Sequence, residues 1–188
     1  MPGVDIEEKT LVIRASKGDA EAFGQIYMRH LDAIYRYVYF RVQDNKDAED
    51  LTEQIFLKAW ESLPGYKDKG YPFSSWLYRI AHNLVIDFHR RNKFIQPMPP
   101  VEEMNWANES PSTLEQLIKT EELNSLTQAI AKLPDTQQEV IILRFVEGLS
   151  HEQVATIIQK SSGACRTIQY RALATLQEIL AAEKAGIL

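Results

Sequence analysis

Apolar residues recur along this chain every three to four positions, the period of an α-helix, and Gly and Pro fall between the periodic segments. Asp19 is expected to cap a long helix. Asp47 is expected to cap a second helix, which Pro64 and Gly65 end, and a third begins near Phe73. The apolar stripe of the first of these helices consists of Phe23, Ile26, Tyr27, Leu31, Ile34, Tyr35, Val38 and Val42. These stripes predict helices that bury one another.

The last third of the chain has the spacing of a helix-turn-helix. Ser150 and Gln153 form a capping box before a short helix that ends near Ile158, and a tight connection leads to a final helix over 162–182. One face of that helix is apolar at Cys165, Ile168, Ala172 and Leu176. The residues at its start and on its outward face, which could meet DNA, are Ser161, Ser162, Arg166, Thr167, Tyr170 and Arg171. Pattern alone leaves an ordinary helical hairpin with a solvated outer face as an equal alternative.

The helical period lapses between the two helical groups, in a segment rich in Pro and Glu. Such a composition is typical of an extended linker. A capping box at Ser112 and Glu115 then marks the next helix. We therefore predict an all-α protein of two small helical domains, over 1–95 and 113–188, joined by a flexible acidic linker over 96–112.

The net charge of −5 is unevenly distributed along the chain. Residues 1–95 hold 14 basic and 14 acidic side chains, residues 123–188 hold 6 of each, and the segment 96–122 holds 1 basic and 6 acidic. Neither half has the broad basic surface of a protein that binds DNA unaided. If DNA is the target, another protein is expected to deliver the chain to it.

Several classes of protein are disfavoured by the sequence. No apolar run approaches the roughly 20 residues that span a bilayer, so we expect a cytoplasmic protein without membrane insertion. The single Cys165 is expected to be a packed thiol. His151 and Glu152 begin like a zinc-protease helix, but Ala155 stands where the second ligand belongs. Neither a phosphate-binding glycine loop nor a nucleophile elbow is found. We predict no catalytic residue, metal or cofactor, and no enzyme.

Three segments carry a resemblance to a known family. They are DAEDLTEQIFLKAW (47–60), FSSWLYRIAHNLVIDFHRR (73–91) and LPDTQQEVIILRFVEGLSHEQVATII (133–158). Together they resemble the extracytoplasmic-function (ECF, group 4) sigma factors of the bacterial sigma-70 family. The resemblance implies a subunit that binds bacterial core RNA polymerase, recognises the minus-35 and minus-10 elements of promoter DNA and opens the duplex. It also implies control by an anti-sigma factor.

The resemblance further assigns residues to three surfaces. Core polymerase binding falls to Asp47, Asp50, Glu53, Gln54 and Phe56, although the family's usual order at 53–54 is Gln-Glu. Minus-10 recognition and melting fall to Tyr66, Lys67, Lys69, Tyr71, Arg79, Asn83, Arg90 and Arg91, which supply aromatic rings for unstacked bases and cations for phosphates. Minus-35 recognition falls to the helix-turn-helix residues given above.

Four neighbouring residues are predicted to lie outside these surfaces. Phe73 and Trp76 are expected in the core, and His82 and His89 are expected to be solvated.

Two other functions stay open at this point. A stand-alone helix-turn-helix regulator would use the same hairpin without polymerase, but the neutral charge balance disfavours it. A module that only sequesters a partner protein is disfavoured by the outward Arg166, Tyr170 and Arg171.

Overall fold

A computed structural model describes residues 6–92 and 125–184, and every regular element within these ranges is helical. The first group of helices comprises α1 (Ile6–Ala15), α2 (Ala20–Val42), α3 (Asn45–Ser62) with a 3₁₀ turn (Leu63–Gly65), and α4 (Phe73–Asn92). The second comprises α5 (described over 125–131), α6 (Asp135–Ile141) with a π-helical turn (Ile142–Val146), α7 (His151–Ile158) and α8 (Ser162–Lys184). The all-α prediction is confirmed. The predicted linker over 96–112 and the capping box at Ser112 and Glu115 lie outside the described residues.

Of the two predicted aspartate N-caps, one is confirmed and the other is wrong. Asp19 caps α2 as expected, since its carboxylate accepts a hydrogen bond from the Ala22 amide at 3.1 Å. The cap of α3 is Asp44, and the prediction of Asp47 is wrong. Gln43 ends α2 in the left-handed conformation, which leaves Asp44 extended and free to accept a hydrogen bond from the Asp47 amide at 2.8 Å. Asp47 therefore lies in the first turn of α3, where its charge favours the helix N-terminus.

Each group of helices has an apolar core, and the two groups also pack against each other. In the first group α2, α3 and α4 bury Ile26, Ile34, Val38, Ile55, Leu77 and Val85. In the second group α6, α7 and α8 bury Val140, Leu143, Val154, Ile157, Cys165 and Ala172. Helix α7 lies against α4, and the π-helical turn lies against α2. The described residues therefore form one closed body built from both groups.

Candidate functional site

The exposed side of α3 is acidic. Asp50, Glu53 and Gln54 are exposed and Asp47 is half-buried. Burial, with the nearby charges of Asp44 and Asp50, raises the pKa of Asp47 above its ordinary value. We call Asp47, Asp50, Glu53 and Gln54 the α3 face.

Phe56 does not belong to this surface, contrary to expectation. It is 3% exposed, and its ring meets Tyr27 edge-on at a centroid distance of 4.6 Å. The reason is helical geometry, because Phe56 follows Thr52 by four residues and both lie on the side of α3 that packs on the domain core. Its side chain therefore stabilises the domain and presents no surface to a partner.

A groove of about 290 Å³ lies beside the α3 face, between α2 and α3. Its lining includes three carboxylates, of Asp32, Glu49 and Glu53, together with the ring of Tyr35. The Tyr35 hydroxyl donates a hydrogen bond to Asn45 at 3.2 Å, which fixes the ring against the start of α3. The acidic surface thus extends from α3 onto α2.

A second groove, of about 360 Å³, collects five of the eight residues predicted for minus-10 DNA. It is lined by Gly65, Tyr66, Lys67, Lys69, Tyr71, Pro72, Ser75, Trp76, Arg79 and Thr156. We call it the base groove. The rings of Tyr66 and Trp76 meet edge-on at a centroid distance of 5.2 Å, so aromatic surface and cations lie side by side. Such a lining suits a stacked nucleobase with its phosphate.

The loop that forms this groove is held at defined points. Asp68 accepts a hydrogen bond from the Gly70 amide at 2.8 Å, and its carboxylate pairs with Lys9 of α1 at 2.9 Å. Gly70 has a φ of 81°, a conformation that costs little for glycine. The loop therefore presents Tyr71 and its two lysines from a tethered position.

Three predicted minus-10 residues lie outside the base groove. Asn83, Arg90 and Arg91 are exposed further along α4, and Arg90 pairs with Asp87 at 3.0 Å. Sequence reasoning placed Trp76 in the core, but it is half-buried and lines the groove, whereas Phe73 is buried as expected. It missed Thr156, which reaches the groove from α7.

The helix-turn-helix is formed as the sequence predicted. Ser150 and Gln153 make both hydrogen bonds of the capping box, and Ser161 caps α8 by accepting from the Ala164 amide at 3.1 Å. Gln159 makes the turn with a φ of 56°. The thiol of Cys165 is buried, which raises its pKa and leaves it unreactive.

The outward face of α8 is open to solvent. Tyr170 is 78% exposed, and Arg166, Thr167 and Arg171 are also exposed. Arg166 pairs with Glu152 of α7 at 3.6 Å, which joins the two helices of the motif at the surface. We call Arg166, Thr167, Tyr170 and Arg171 the α8 face.

A buried polar contact between the two groups of helices was missed by sequence reasoning. Glu139 of α6 is 4% exposed, and its Oε1 accepts a hydrogen bond from the Tyr37 hydroxyl at 2.7 Å. His82 Nδ1 lies 2.6 Å from the same oxygen. Burial alone would raise the pKa of Glu139, but the contact with His82 and the charge of Arg41 hold it below its ordinary value. The expectation that His82 is solvated is wrong, because α6 covers that side of α4.

A second glutamate makes an equivalent contact. The side chain of Glu147 is 1% exposed and receives two hydrogen bonds from Arg36, at 2.9 and 2.7 Å. The Tyr78 hydroxyl donates to the same carboxylate at 2.7 Å. Burial, followed by the charge of Glu147, raises the pKa of Tyr78 well above its ordinary value.

Arg41 completes the contact. Its Nη1 donates to the Asp135 carbonyl at 2.8 Å and to the Gln138 side chain at 2.7 Å. We call the whole contact the interdomain seam, formed by Arg36, Tyr37, Arg41, Tyr78 and His82 with Asp135, Gln138, Glu139 and Glu147.

Two further properties of the described residues bear on function. Over 6–92 and 125–184, no three His, Cys, Asp or Glu side chains are grouped so as to hold a metal ion. In the same ranges, no helix is long and apolar enough to cross a membrane.

Comparison with known proteins identifies the family of each group of helices. Residues 26–95 match the Sigma-70 region 2 family, and residues 123–176 match the Sigma-70, region 4 family. The chain is similar to the ECF RNA polymerase sigma factor BldN of Streptomyces coelicolor, with 39% identity over 90% of this chain and 64% of that protein. It is also similar to the ECF RNA polymerase sigma factor SigD of Mycobacterium tuberculosis, with 32% identity over 92% of this chain and 84% of that protein.

Solved structures share the fold. CnrH, in complex with the cytosolic domain of CnrY, matches with a TM-score of 0.71 and 24% identity over 94% of this chain and 98% of that chain. RpoE of Bartonella quintana, in complex with the anti-sigma factor NepR, matches with a TM-score of 0.68 and 24% identity over 85% of this chain and 96% of that chain. From the two region matches and the similarity to SigD, the chain belongs to the ECF RNA polymerase sigma factors of the sigma-70 family.

Proposed function

We propose that this protein directs bacterial core RNA polymerase to specific promoters, recognising a minus-35 and a minus-10 element and opening the duplex at the second. The observation that carries the proposal is the presence, in one chain, of a region 2 and a region 4 match with a DNA-compatible surface on each. A stand-alone helix-turn-helix regulator has no need of region 2. The chemistry of RNA synthesis belongs to the polymerase, and we assign no catalytic residue to this chain.

The α3 face is proposed to bind core polymerase. Its exposed acidic side chains, with the acidic groove between α2 and α3, suit a partner surface that presents Lys or Arg. Charge reversal at Asp50 tests this role. Asp50→Lys is expected to weaken competition for core polymerase at least tenfold while leaving the circular dichroism spectrum unchanged. Glu178→Lys, at an exposed glutamate on α8, is the matched control. An Asp50→Lys variant that competes as well as the wild type would remove Asp50 from the interface.

The base groove is proposed to receive an unstacked base of the minus-10 strand. Tyr66, Tyr71 and Trp76 supply the rings, and Lys67, Lys69 and Arg79 supply cations for the flanking phosphates. We propose that Asn83, Arg90 and Arg91 extend the same contact along α4, because they are exposed on the helix that leads away from the groove.

The α8 face is proposed to read the minus-35 element. Arg166, Thr167, Tyr170 and Arg171 project from one exposed side of a helix whose opposite side is buried, which is the arrangement that a major-groove helix needs. Ser161 and Ser162, at the start of α8, are proposed to contact a phosphate.

Two further parts of the proposal concern a regulatory partner and the cellular location of the protein. CnrH and RpoE were each solved with a bound protein, CnrY and the anti-sigma factor NepR respectively. We propose that an anti-sigma factor also controls this chain. Since its proposed partners are polymerase and promoter DNA, we place it in the cytoplasm.

In vitro transcription from a library of randomised promoters tests the proposed function. Core polymerase alone is compared with core polymerase plus this protein. Specific transcripts that require the protein, and that share an upstream and a downstream element, are the expected result. If the two proteins associate but no specific transcript arises, promoter opening is contradicted. If they do not associate, the whole proposal fails.

A further inference from the structure

A buried hydroxyl without a hydrogen-bond partner lies in the wall of the base groove. Ser75, in the first turn of α4, is 3% exposed and belongs to the groove lining. Its amide donates to the Pro72 carbonyl at 3.0 Å, but no group of the described residues forms a hydrogen bond with its Oγ. Leaving a buried hydroxyl unpaired costs free energy, so most such groups in proteins have a partner. The unpaired hydroxyl in the groove wall therefore indicates a hydrogen bond that forms when a ligand is bound.

The surroundings of Ser75 place this hydrogen bond beside an aromatic surface. Trp76, the next residue, is half-buried, and its ring meets that of Tyr66 edge-on at a centroid distance of 5.2 Å. Arg79 follows Ser75 by four residues, so the two side chains lie on the same side of α4. Serine has one side-chain torsion, and rotation about it turns the hydroxyl without moving the helix. A planar base that stacks on these rings presents its polar edge to the groove wall, where Ser75 lies.

The hydrogen-bonding groups of the groove are mostly donors. Side chains that donate and cannot accept belong to Lys67, Lys69, Trp76 and Arg79. The described residues that line the groove include hydroxyls but no carboxylate and no carboxamide. Burial, with the charges of Asp68 and Glu8, raises the pKa of Tyr66, so its hydroxyl keeps its proton and can also donate. The groove thus suits a ligand edge that accepts hydrogen bonds.

The four DNA bases differ in how well their edges accept. Cytosine, guanine and thymine each carry a carbonyl oxygen, whereas adenine has an amino group and ring nitrogens. A carbonyl oxygen can accept from two donors at once, but the amino group of adenine would face further donors. The groove volume of about 360 Å³ lies in the range of ligand pockets, roughly 300–1,000 Å³, so selection among bases depends on hydrogen bonding more than on size.

We propose that Ser75 forms a hydrogen bond with the base held in the base groove, and that the groove selects a base with a carbonyl oxygen over adenine. This inference rests on the proposed function of the base groove and deepens it by naming the class of base and a residue that determines it. Phosphates are common to all nucleotides, so Lys67 and Lys69 add affinity without distinguishing one base from another.

Single-stranded probes that carry one base each test the proposal. Each probe is a twelve-nucleotide strand that is abasic at every position except one, which carries adenine, cytosine, guanine or thymine. All four probes therefore present the same phosphates. Fluorescence anisotropy is measured with the full-length protein, first alone and then with core polymerase. The adenine probe is expected to bind at least about fivefold more weakly than the tightest probe, and Ser75→Ala is expected to reduce this difference to about twofold.

Two further variants and a stability measurement locate the effect. Ser74→Ala removes the hydroxyl of the adjacent, half-buried serine, which is not part of the groove lining, and it should keep the wild-type discrimination. Ser75→Cys keeps the size of the side chain but has a weak donor, so intermediate discrimination is expected. Ser75→Ala should keep the thermal midpoint of the wild type, because its hydroxyl bonds to none of the described residues. A lower midpoint with wild-type discrimination would make the hydroxyl structural and overturn its proposed role.

Each remaining outcome is also decisive. Discrimination that persists in Ser75→Ala removes Ser75 from the base contact, and tightest binding of the adenine probe contradicts selection of a carbonyl oxygen. Equal binding of the wild type to all four probes, in both settings, overturns the whole inference. The measurement on the free protein uses no polymerase. Discrimination among the probes without promoter-directed transcripts therefore contradicts the proposed function alone, whereas specific transcripts with equal binding of all probes contradict the inference alone.

Discussion

The base groove and the α8 face are both suited to nucleic acid, yet they are built differently. The α8 face comes from one helix, and all four of its residues are exposed. The base groove is assembled from a loop, the start of α4 and, through Thr156, a helix of the other domain. A surface formed by one helix is unchanged when its domain moves relative to the other domain. A groove completed by a second domain changes if that domain moves away, so the base groove depends on how the two domains are arranged and the α8 face does not.

The largest predicted effect comes from a substitution in the interdomain seam, on which the arrangement of the base groove depends. Glu139→Ala leaves Tyr37, His82 and Arg41 facing a buried gap, and removing one partner of a buried charged contact costs about 3–5 kcal/mol. We expect urea unfolding to change from one transition to two, because the domains no longer support each other. Tryptophan fluorescence and circular dichroism should report this change.

The control for Glu139→Ala is Glu183→Ala, which removes a partly exposed pair within the second domain. It should cost about 1 kcal/mol or less and preserve a single transition. A single unfolding transition in Glu139→Ala, with no loss of stability, would contradict the importance of the interdomain seam.

The next largest effect is expected from substitutions on the α8 face. Arg166→Ala with Arg171→Ala removes two cations from the α8 face, and each lost base contact is expected to weaken binding by about 1–3 kcal/mol. The measurement is holoenzyme binding to promoters that differ only in the upstream element. Single-stranded DNA binding by the free protein should not change. An equal loss on templates with a scrambled upstream element would count against direct readout by these arginines.

The exposed side of α8 could be predicted from the sequence because everything that defines it is local. The capping box at Ser150 and the apolar spacing of Cys165 and Ala172 determine which side of α8 points outward. Helical periodicity likewise predicted the helices of the first domain, although the cap at Asp44 depended on how α2 ends.

The interdomain seam could not be predicted in the same way. Its contacting side chains lie 57 to 111 positions apart in the chain, and no local pattern pairs Arg36 with Glu147. In the structure, Tyr78 and His82, four residues apart, widen the buried side of α4 beside the apolar Leu77, Ala81 and Val85. A helix buried on more than one side needs a second partner.

A smaller effect is expected from removing a single hydrogen bond of the interdomain seam. Tyr78→Phe removes one hydroxyl that donates to Glu147 and keeps the ring, while Arg36 still holds the carboxylate. We expect a loss of about 1.5 kcal/mol, the low end for a hydrogen bond to a charged group. A double-mutant cycle with Glu147→Gln should show that most of this loss is coupling between the two side chains. Additive losses would mean that the hydroxyl acts elsewhere.

The smallest effect concerns the turn that orients the α8 face. Gln159 has a φ of 56° with an exposed side chain, a conformation that glycine adopts at less cost. Gln159→Gly should therefore stabilise the second domain by about 0.5–1 kcal/mol in thermal unfolding. Gln43 has a similar φ of 60°, but its side-chain amide donates to the Phe40 carbonyl at 3.3 Å. Gln43→Gly should gain less, because relief of the backbone is offset by loss of that hydrogen bond. Equal gains in stability at both positions would show that the backbone conformation alone determines the effect of the substitution.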